Sequence, residues 1–249
     1  QVVLLISYNG ANYDGLQVNE GHKTVDSVFE SALCKAGCFS EKEYGDFHAH
    51  KWGRCARTDK GVSAAVNVIC ARLNIAPEAT FVERVNSSLP SDIRLLAVSR
   101  VDNKFHARMN CSARIYEYVL PTYIMHPTFS IGWLCAFRVS ADLISYANRL
   151  LAHFKGASLD VHRFLGAHNY HNFALRVRGD EKSAMRHIVD IYVDPTPFIS
   201  NGMEFVRVVL HGDSFMRMQI RKMVGLVVLI MSGLLPESVF NTCFDQREV

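Results

Sequence analysis

Seven segments of the chain either alternate hydrophobic with polar positions or cluster β-branched apolar residues, and both patterns predict strands. These segments are Val2–Tyr8, Trp52–Arg57, Ala64–Leu73, Ile93–Val101, Arg114–Leu120, Ala184–Val193 and Met203–Leu210. Apolar residues recur at helical spacing in Thr24–Gly37, in a segment that begins near Pro77 and includes Val85, and in Ser140–Phe154. Ser140 is a candidate N-cap for the third of these helices, and Gly37 is a candidate stop for the first.

The first hundred residues therefore have the order strand, helix, strand, strand, helix, strand, which is the ferredoxin-like or RRM-like plan. The second half repeats this composition more loosely, and Met109–Ala113 separates the two halves. We predict an α+β fold with an N-terminal half, residues 1–110, and a C-terminal half, residues 111–249. Two such units side by side would leave a cleft, and ligands often bind at domain interfaces.

The charge of the chain is small in total but unevenly distributed. A formal net charge of +3 excludes a polycation that coats nucleic acid non-specifically. Two segments, Lys51–Arg72 and Arg94–Arg114, carry +4 each and leave −5 for the remaining residues. Charge on strands is typical of a solvated sheet face. Two such segments with Trp52, Phe105 and Tyr116 nearby favour a surface that follows a phosphate backbone.

Cysteines and apolar runs exclude two further classes of protein. The seven cysteines are scattered, odd in number and lie in a chain too long to require disulfides, so we interpret them as reduced thiols of an intracellular protein. The longest uncharged apolar run, Met223–Met231, has nine residues. About 20 are needed to span a bilayer, so neither a membrane span nor a membrane partner is predicted.

The segment Arg57-Thr58-Asp59-Lys60-Gly61 lies between two predicted strands, and the plain interpretation is a tight turn in which Gly61 has a positive φ. A turn does not require one carboxylate among three cations, which here are Arg54, Arg57 and Lys60. Such neighbours favour the ionised form of Asp59 and make it available as a nucleophile or base.

Two other pairs of residues each leave two interpretations open. Tyr116 and Tyr118 share one face of a predicted strand, where rings either pack in a core or stack on a ligand. Arg217 and Arg221 are spaced i,i+4 on a predicted helix with Ser214 near its N-cap. Such a pair is either a solvated edge or a cation pair that faces a cleft.

The histidines His168 and His171 have a spacing that is found in zinc sites, and Cys34 and Cys38 could be added to them. No second paired set of ligands has matching spacing, so no metal is predicted. We expect the two histidines to contact RNA or to stabilise a loop.

Five strings match the motifs of one protein family in the expected order along the chain: Tyr8–Gly10, Cys55–Ala64, Phe105–Arg108 with Arg114–Tyr118, Gly166–Phe173 and Ser214–Gly225. They resemble the TruA family of tRNA pseudouridine synthases, in its eukaryotic form with broad tRNA and other RNA targets. The resemblance extends from Leu4 to about Phe240, nearly the whole chain.

The resemblance implies two fused ferredoxin-like (RRM-like) halves that share a mostly antiparallel sheet with a central basic cleft, and a short Gly- and Pro-containing strand beyond Val249. It implies isomerisation of uridine to pseudouridine in stem regions of tRNA, in which the C1′–N1 bond breaks and C1′ joins C5. Messenger and small nuclear RNA are further candidate substrates. No cofactor is expected, a monomer is expected, and the nucleus or mitochondrion is the expected compartment.

The resemblance also implies residue roles. Asp59 matches the nucleophile, which attacks the sugar C1′ or the base C6. Tyr116 matches the tyrosine that stacks on the flipped base and is placed to remove the C5 proton, and Arg221 matches the basic partner of the catalytic carboxylate. Arg57 is expected to fill the space that the base leaves. The candidate RNA-binding residues are Arg54, Arg57, Lys60, His106, Arg108, His168, His171, Arg217 and Lys222.

Two other functions stay open on the sequence. One is a non-catalytic RNA-binding or RNA-chaperone protein on the same scaffold, and the other is a zinc-stabilised module. The presence of Asp59, Tyr116 and Arg221 together favours the enzyme.

Overall fold

A computed structural model describes residues 1–75, 80–126, 136–155, 167–245 and 247. The chain divides into two compact units, Gln1–Ser112 and Ala113–Val249. Each unit has its own hydrophobic core. The predicted α+β class is confirmed. The shared sheet and the basic cleft concern the arrangement of the two units, and they stay predictions.

Unit 1 contains four strands and two α-helices within the described residues. They are β1 (Val2–Tyr8), α1 (Val25–Lys35), β2 (Gly53–Arg54), β3 (Ala64–Ala71), α2 (Phe81–Asn86) and β4 (Ile93–Arg100). The strands form one antiparallel sheet in the order β2-β3-β1-β4. This is the ferredoxin-like order, so the predicted sequence of elements is confirmed.

The core of unit 1 follows directly from the periodicity of the sequence. Every second residue of β1, from Val2 to Tyr8, is buried, as expected for a strand with one face on a core. In α1, Phe29 and Leu33 are fully buried on the helix face toward the sheet. Thr24 caps this helix by accepting a hydrogen bond from the Ser27 N–H at 3.3 Å.

Two predicted elements of unit 1 have other bounds in the structure. The strand predicted over Trp52–Arg57 consists of only Gly53–Arg54, because the chain leaves the sheet for the turn that follows. The helix predicted from near Pro77 begins at Phe81, and Pro77 itself lies outside the described residues.

Unit 2 contains five strands and three α-helices within the described residues. They are β5 (Arg114–Pro121), α3 (Ala141–Ala152), β6 (Ala167–Asn169), β7 (Met185–Val193), β8 (Phe198–Ser200), β9 (Met203–Gly212), α4 (Gln219–Met231) and α5 (Val239–Cys243). The sheet is antiparallel with the order β5-β9-β7-β6, and β8 pairs with β9. Helices α3 and α4 share one core with β5, β7 and β9. Together with the first sheet, this agrees with two ferredoxin-like halves.

The two long helices of unit 2 begin differently from each other. Ser140 caps α3 by accepting from the Leu143 N–H at 3.2 Å, which confirms the predicted N-cap. The prediction that Arg217 and Arg221 share a helix capped near Ser214 is wrong. Met218 has a φ of +66°, which is incompatible with a helix interior, and α4 therefore begins after it.

None of the described helices has the length and apolar composition that crossing a membrane requires. The six cysteines within the described ranges carry free thiols, and Cys135 lies outside these ranges.

Candidate active site

The turn that carries Asp59 is bonded on one side to the sheet of unit 1. Gly61 has a φ of +77°, as predicted for this turn. The hydroxyls of Thr58 and Tyr8 share a hydrogen bond of 2.8 Å at the end of β1. The buried amide of Asn67 donates to the Tyr8 hydroxyl at 3.1 Å and to the Ala56 carbonyl at 3.0 Å. These bonds fix the backbone immediately before Asp59.

The loop between β1 and α1 bonds to the same turn from the other side. The Leu16 N–H donates to the Thr58 carbonyl at 3.1 Å, and the Gly61 N–H donates to the Tyr13 carbonyl at 3.2 Å. The Tyr13 side chain is buried and donates to Asp92 at 2.7 Å. Burial and this carboxylate both raise the pKa of Tyr13, so its hydroxyl stays a donor. The turn is thus held by backbone bonds as well as by side chains.

The Asp59 side chain is partly exposed and makes no hydrogen bond or ion pair to the described residues of unit 1. The cations expected beside it have other partners: Arg54 bonds to Asp26, and Lys60 pairs with Asp14 at 2.7 Å. Arg57 is exposed. The geometry presents one accessible carboxylate on a fixed turn, an arrangement suited to nucleophilic or general-base chemistry.

A buried polar cluster, which the sequence did not predict, surrounds Asp26 at the start of α1. Asp26 is fully buried in the first turn of α1 and accepts from the Arg54 Nε and from the Trp52 indole N–H, the latter at 3.2 Å. Burial raises the pKa of Asp26 to about 6, although Arg54 and Trp52 oppose that shift. Glu30, one helical turn further on, is also buried and accepts from the Gly45 N–H at 2.8 Å.

The other candidates of unit 1, His106 and Arg108, are exposed after β4. The His106 ring accepts at Nδ1 from the backbone N–H of Arg108 at 3.2 Å, and the His106 N–H donates to Asn110 at 2.8 Å. The histidine thereby shapes a tight loop. Its contact with RNA stays a prediction.

In unit 2, the candidate stacking residue lies in the middle of a regular strand pair. Tyr116 in β5 is opposite Leu210 in β9, and its ring packs edge-to-face on Phe215 at a centroid distance of 5.2 Å. Tyr116 and Tyr118 are partly buried against the core of the unit. Both rings therefore pack against the core of unit 2, and part of the Tyr116 side chain is exposed to solvent.

The start of α4 separates three candidate cations into two environments. Arg217 and Arg221 are exposed, and their side chains have no hydrogen-bond or ion-pair partner among the described residues of unit 2. Lys222 is half-buried and its ammonium donates to the carbonyls of Asn172 and Ala174 at 3.1 and 2.9 Å. Lys222 thus bonds α4 to the loop between β6 and β7, while the two arginines remain available to a ligand.

The two candidate histidines of unit 2 are held inside it. His168 stacks on Phe244 at 4.5 Å, and desolvation lowers its pKa. His171 is buried and its Nδ1 lies 3.1 Å from the Asn169 amide oxygen. Across the ranges that the structure describes, no group of three or more histidine, cysteine or acidic side chains could hold a metal ion.

Comparison with known proteins finds similarity to pseudouridine synthases. A family model described as tRNA pseudouridine synthase matches residues 161–248, which include α4 and Arg221. The mouse protein named pseudouridylate synthase 1 homolog is 39% identical over 252 aligned residues that include all of this chain, and the human protein of that name is also 39% identical. Over its whole length the chain is therefore similar to TruA-type pseudouridine synthases.

The chain spans 56% of the length of the mouse and human relatives. A yeast relative named tRNA pseudouridine(27/28) synthase is 28% identical, and the aligned region covers 97% of this chain and 77% of the relative. The family model does not extend to Asp59 or Tyr116. The roles of Asp59 and Tyr116 therefore rest on motif resemblance and on local geometry.

Proposed function

We propose that this chain catalyses the isomerisation of uridine to pseudouridine in stem regions of tRNA. The observation that carries this proposal is the Asp59 turn. The Thr58 hydroxyl is bonded to Tyr8 of β1, and the backbone of the turn is bonded to the loop before α1. The Asp59 carboxylate is accessible and unpaired within the described part of unit 1. The match to the family model and the names of the relatives support the same reaction.

The proposed chemistry requires no external reactant. Asp59 attacks the nucleotide at the sugar C1′ or at the base C6, and the C1′–N1 bond breaks. The base then turns and its C5 bonds to C1′. When Asp59 is bonded to C1′, C5 displaces it and the Asp59–C1′ bond breaks; when Asp59 is bonded to C6, it leaves C6 as the C5 proton is removed. In either route C5 loses its proton, N1 gains a proton and the Asp59 carboxylate is regenerated. The atoms of the uridine are conserved, so the reaction is an isomerisation.

Tyr116 and Arg221 have supporting roles in this proposal. The exposed part of the Tyr116 ring stacks on the flipped base, which offsets part of the cost of unstacking it, roughly a few kcal/mol. Packing on Phe215 restricts the Tyr116 ring in advance. Arg221 lies exposed in the first turn of α4 and supplies positive charge for the reacting carboxylate.

The proposed RNA surface uses the cations that the fold leaves accessible. Arg57, Arg217 and Arg221 are exposed and have no side-chain partner among the described residues of their own units. Lys60 is 80% exposed, so its pair with Asp14 can give way to a phosphate at little cost. Messenger and small nuclear RNA are further proposed substrates, and the nucleus or mitochondrion is the proposed compartment.

The first prediction tests the nucleophile. Asp59→Asn keeps the size of the side chain but removes its charge, so we expect pseudouridine formation in a tRNA transcript to fall by about 10³-fold or more. Affinity for the transcript is expected to change little. Carbodiimide-adduct mapping detects pseudouridine, and a filter-binding titration measures affinity.

The control for this experiment is Asp180→Asn, which removes an exposed carboxylate of unit 2 that bonds only locally to Arg178. It is expected to keep full activity. Full activity of Asp59→Asn would refute the proposed nucleophile. Tight tRNA binding by a wild-type protein that forms no pseudouridine would instead indicate a non-catalytic RNA-binding protein.

A further inference from the structure

Asp26, Trp52 and Arg54 form a buried cluster, and none of them takes part in the chemical steps proposed above. Asp26 is fully buried, and the Arg54 side chain is only 12% exposed. A buried ion pair is weak evidence of stabilisation, since desolvation of the two charges offsets much of their attraction. The partners are, however, held in one geometry by several directional bonds.

Asp26 is connected to the catalytic turn along two paths. Its carboxylate bonds to Arg54, which lies in β2 five residues before Asp59. Its backbone N–H donates to the Leu16 carbonyl at 2.9 Å, and the Leu16 N–H donates to the Thr58 carbonyl at 3.1 Å. The helix start is therefore bonded directly to the beginning of the segment that leads to Asp59, at Arg54, and through Leu16 to its end, at Thr58.

The surroundings of Arg54 leave its side chain little freedom. Its guanidinium lies 5.6 Å from the centre of the Phe47 ring, and that ring packs edge-to-face on Trp52 at 5.2 Å. Trp52 donates to the same carboxylate that holds Arg54. The cluster fixes the direction in which the chain leaves the sheet, and hence the path toward the turn.

We propose that Asp26 and Arg54 are positioning residues that set the geometry of the Asp59 turn for the reaction. This inference rests on the proposed function. It removes Arg54 from the RNA-contacting residues and assigns it to the support of the nucleophile. Misplacement of a reacting group by about 1 Å can cost a factor of about 100 in rate, so such support is kinetically significant.

The Asp26–Arg54 pair also predicts that kcat depends on pH. The raised pKa of Asp26, about 6, means that its carboxylate gains a proton as the pH falls through that value. The charged or titratable groups around it are Arg54, the buried Glu30 and the Tyr8 hydroxyl, and His50 in turn interacts with Glu30. Below about pH 6 the neutral acid holds Arg54 less firmly, and kcat is expected to fall.

The test compares Asp26→Asn and Arg54→Lys with the wild-type protein on one tRNA transcript. Asp26→Asn mimics the protonated acid, and Arg54→Lys keeps the charge but loses the Nε donor. We expect kcat to fall about 10- to 100-fold in each, with KM changed less than about twofold. The wild-type decline of kcat near pH 6 is expected to be absent from Asp26→Asn.

A matched control is Asp194→Asn, which removes the carboxylate from the ion pair with Arg207 in unit 2 at 2.8 Å. It is expected to keep wild-type kcat. Amide hydrogen exchange supplies a readout that does not need activity. Peptides that contain Leu16 and Gly61 are expected to exchange about tenfold faster in Asp26→Asn and Arg54→Lys, while β9 peptides are unchanged.

These measurements separate the inference from the proposed function. If the wild-type protein forms no pseudouridine, the proposed function is wrong. The hydrogen-exchange rates of the Leu16 and Gly61 peptides still test whether Asp26 and Arg54 order the Asp59 turn. Wild-type kcat and exchange in both variants would overturn the inference. So would a loss of kcat in Asp194→Asn as large as in Asp26→Asn. If Asp26→Asn does not fold, Arg54→Lys decides the outcome.

Discussion

At the residue scale, the backbone at Gly10 packs closely against the backbone at Val62, three residues after Asp59. Gly10 lies against the chain just after the turn, and a Cβ atom added to it would lie 2.0 Å from the Val62 carbonyl oxygen. The obstacle is backbone, which cannot move aside as a flexible side chain could. The Gly10 N–H also donates to the Ser63 hydroxyl at 3.0 Å. The glycine in the opening motif therefore has a packing reason.

We predict that Gly10→Ala lowers the free energy of unfolding by about 1–3 kcal/mol and lowers activity, because the added methyl group separates the two chain segments. Gly225→Ala is the matched control. Gly225 lies inside α4 with open space around the added Cβ, so this change is expected to stabilise the protein by about 0.5–1 kcal/mol. Chemical denaturation measures both. Equal effects of the two substitutions would contradict the packing argument.

Sequence reasoning identified Asp59 and Gly61 but not Asp26, and the difference has a physical cause. A carboxylate among cations in a turn is unusual and stands out. An aspartate in the first turn of a helix is ordinary, because it is favourable near the positive end of the helix dipole even when it is solvated. Only the packing of Trp52 and Arg54 over α1 reveals that Asp26 is buried.

At the element scale, the start of α4 is fixed by tertiary bonds rather than by a standard cap. The buried Gln219 accepts from the Met216 N–H at 2.8 Å, and Lys222 donates to two carbonyls of the loop at Asn172 and Ala174. The sequence contains no cue for these partners. The i,i+4 spacing of the arginines therefore predicted a helix that begins too early, whereas α1 and α3, whose ends are capped locally, were predicted closely.

We predict that Lys222 acts through this bonding and not through RNA contact. Lys222→Met leaves two carbonyls without their donor, and we expect the free energy of unfolding to fall by about 1–3 kcal/mol. The salt dependence of tRNA binding is expected to stay unchanged. The exposed Lys182 offers a control, since Lys182→Met should change stability by less than about 0.5 kcal/mol. Unchanged stability with weaker tRNA binding would return Lys222 to the RNA surface.

At the scale of the whole molecule, the strands and helices of each unit could be predicted from the hydrophobic pattern of that unit alone, because each unit has its own core. Strand alternation and two helical periods gave the order of elements in unit 1, and the loops between them carried the motif residues. The individual roles of charged residues could not be read in this way. Arg54, Lys60 and Lys222 appear as free cations in the sequence, but each has a partner in the fold.

The net charge of the molecule is consequently a poor guide to its proposed affinity for RNA, and the accessible cations are a better one. Each cation that binds a phosphate displaces counterions, so its loss lowers the slope of log affinity against log salt by about 1. We predict this change for Arg217→Gln, because Arg217 is exposed and unpaired within the described residues of unit 2. Arg207→Gln is the control, since Asp194 binds that guanidinium through two hydrogen bonds of 3.1 and 2.8 Å. Fluorescence anisotropy with labelled tRNA over a salt series measures both slopes. Equal slopes in the two variants would mean that an ion pair such as Arg207–Asp194 does not prevent an arginine from binding RNA phosphate.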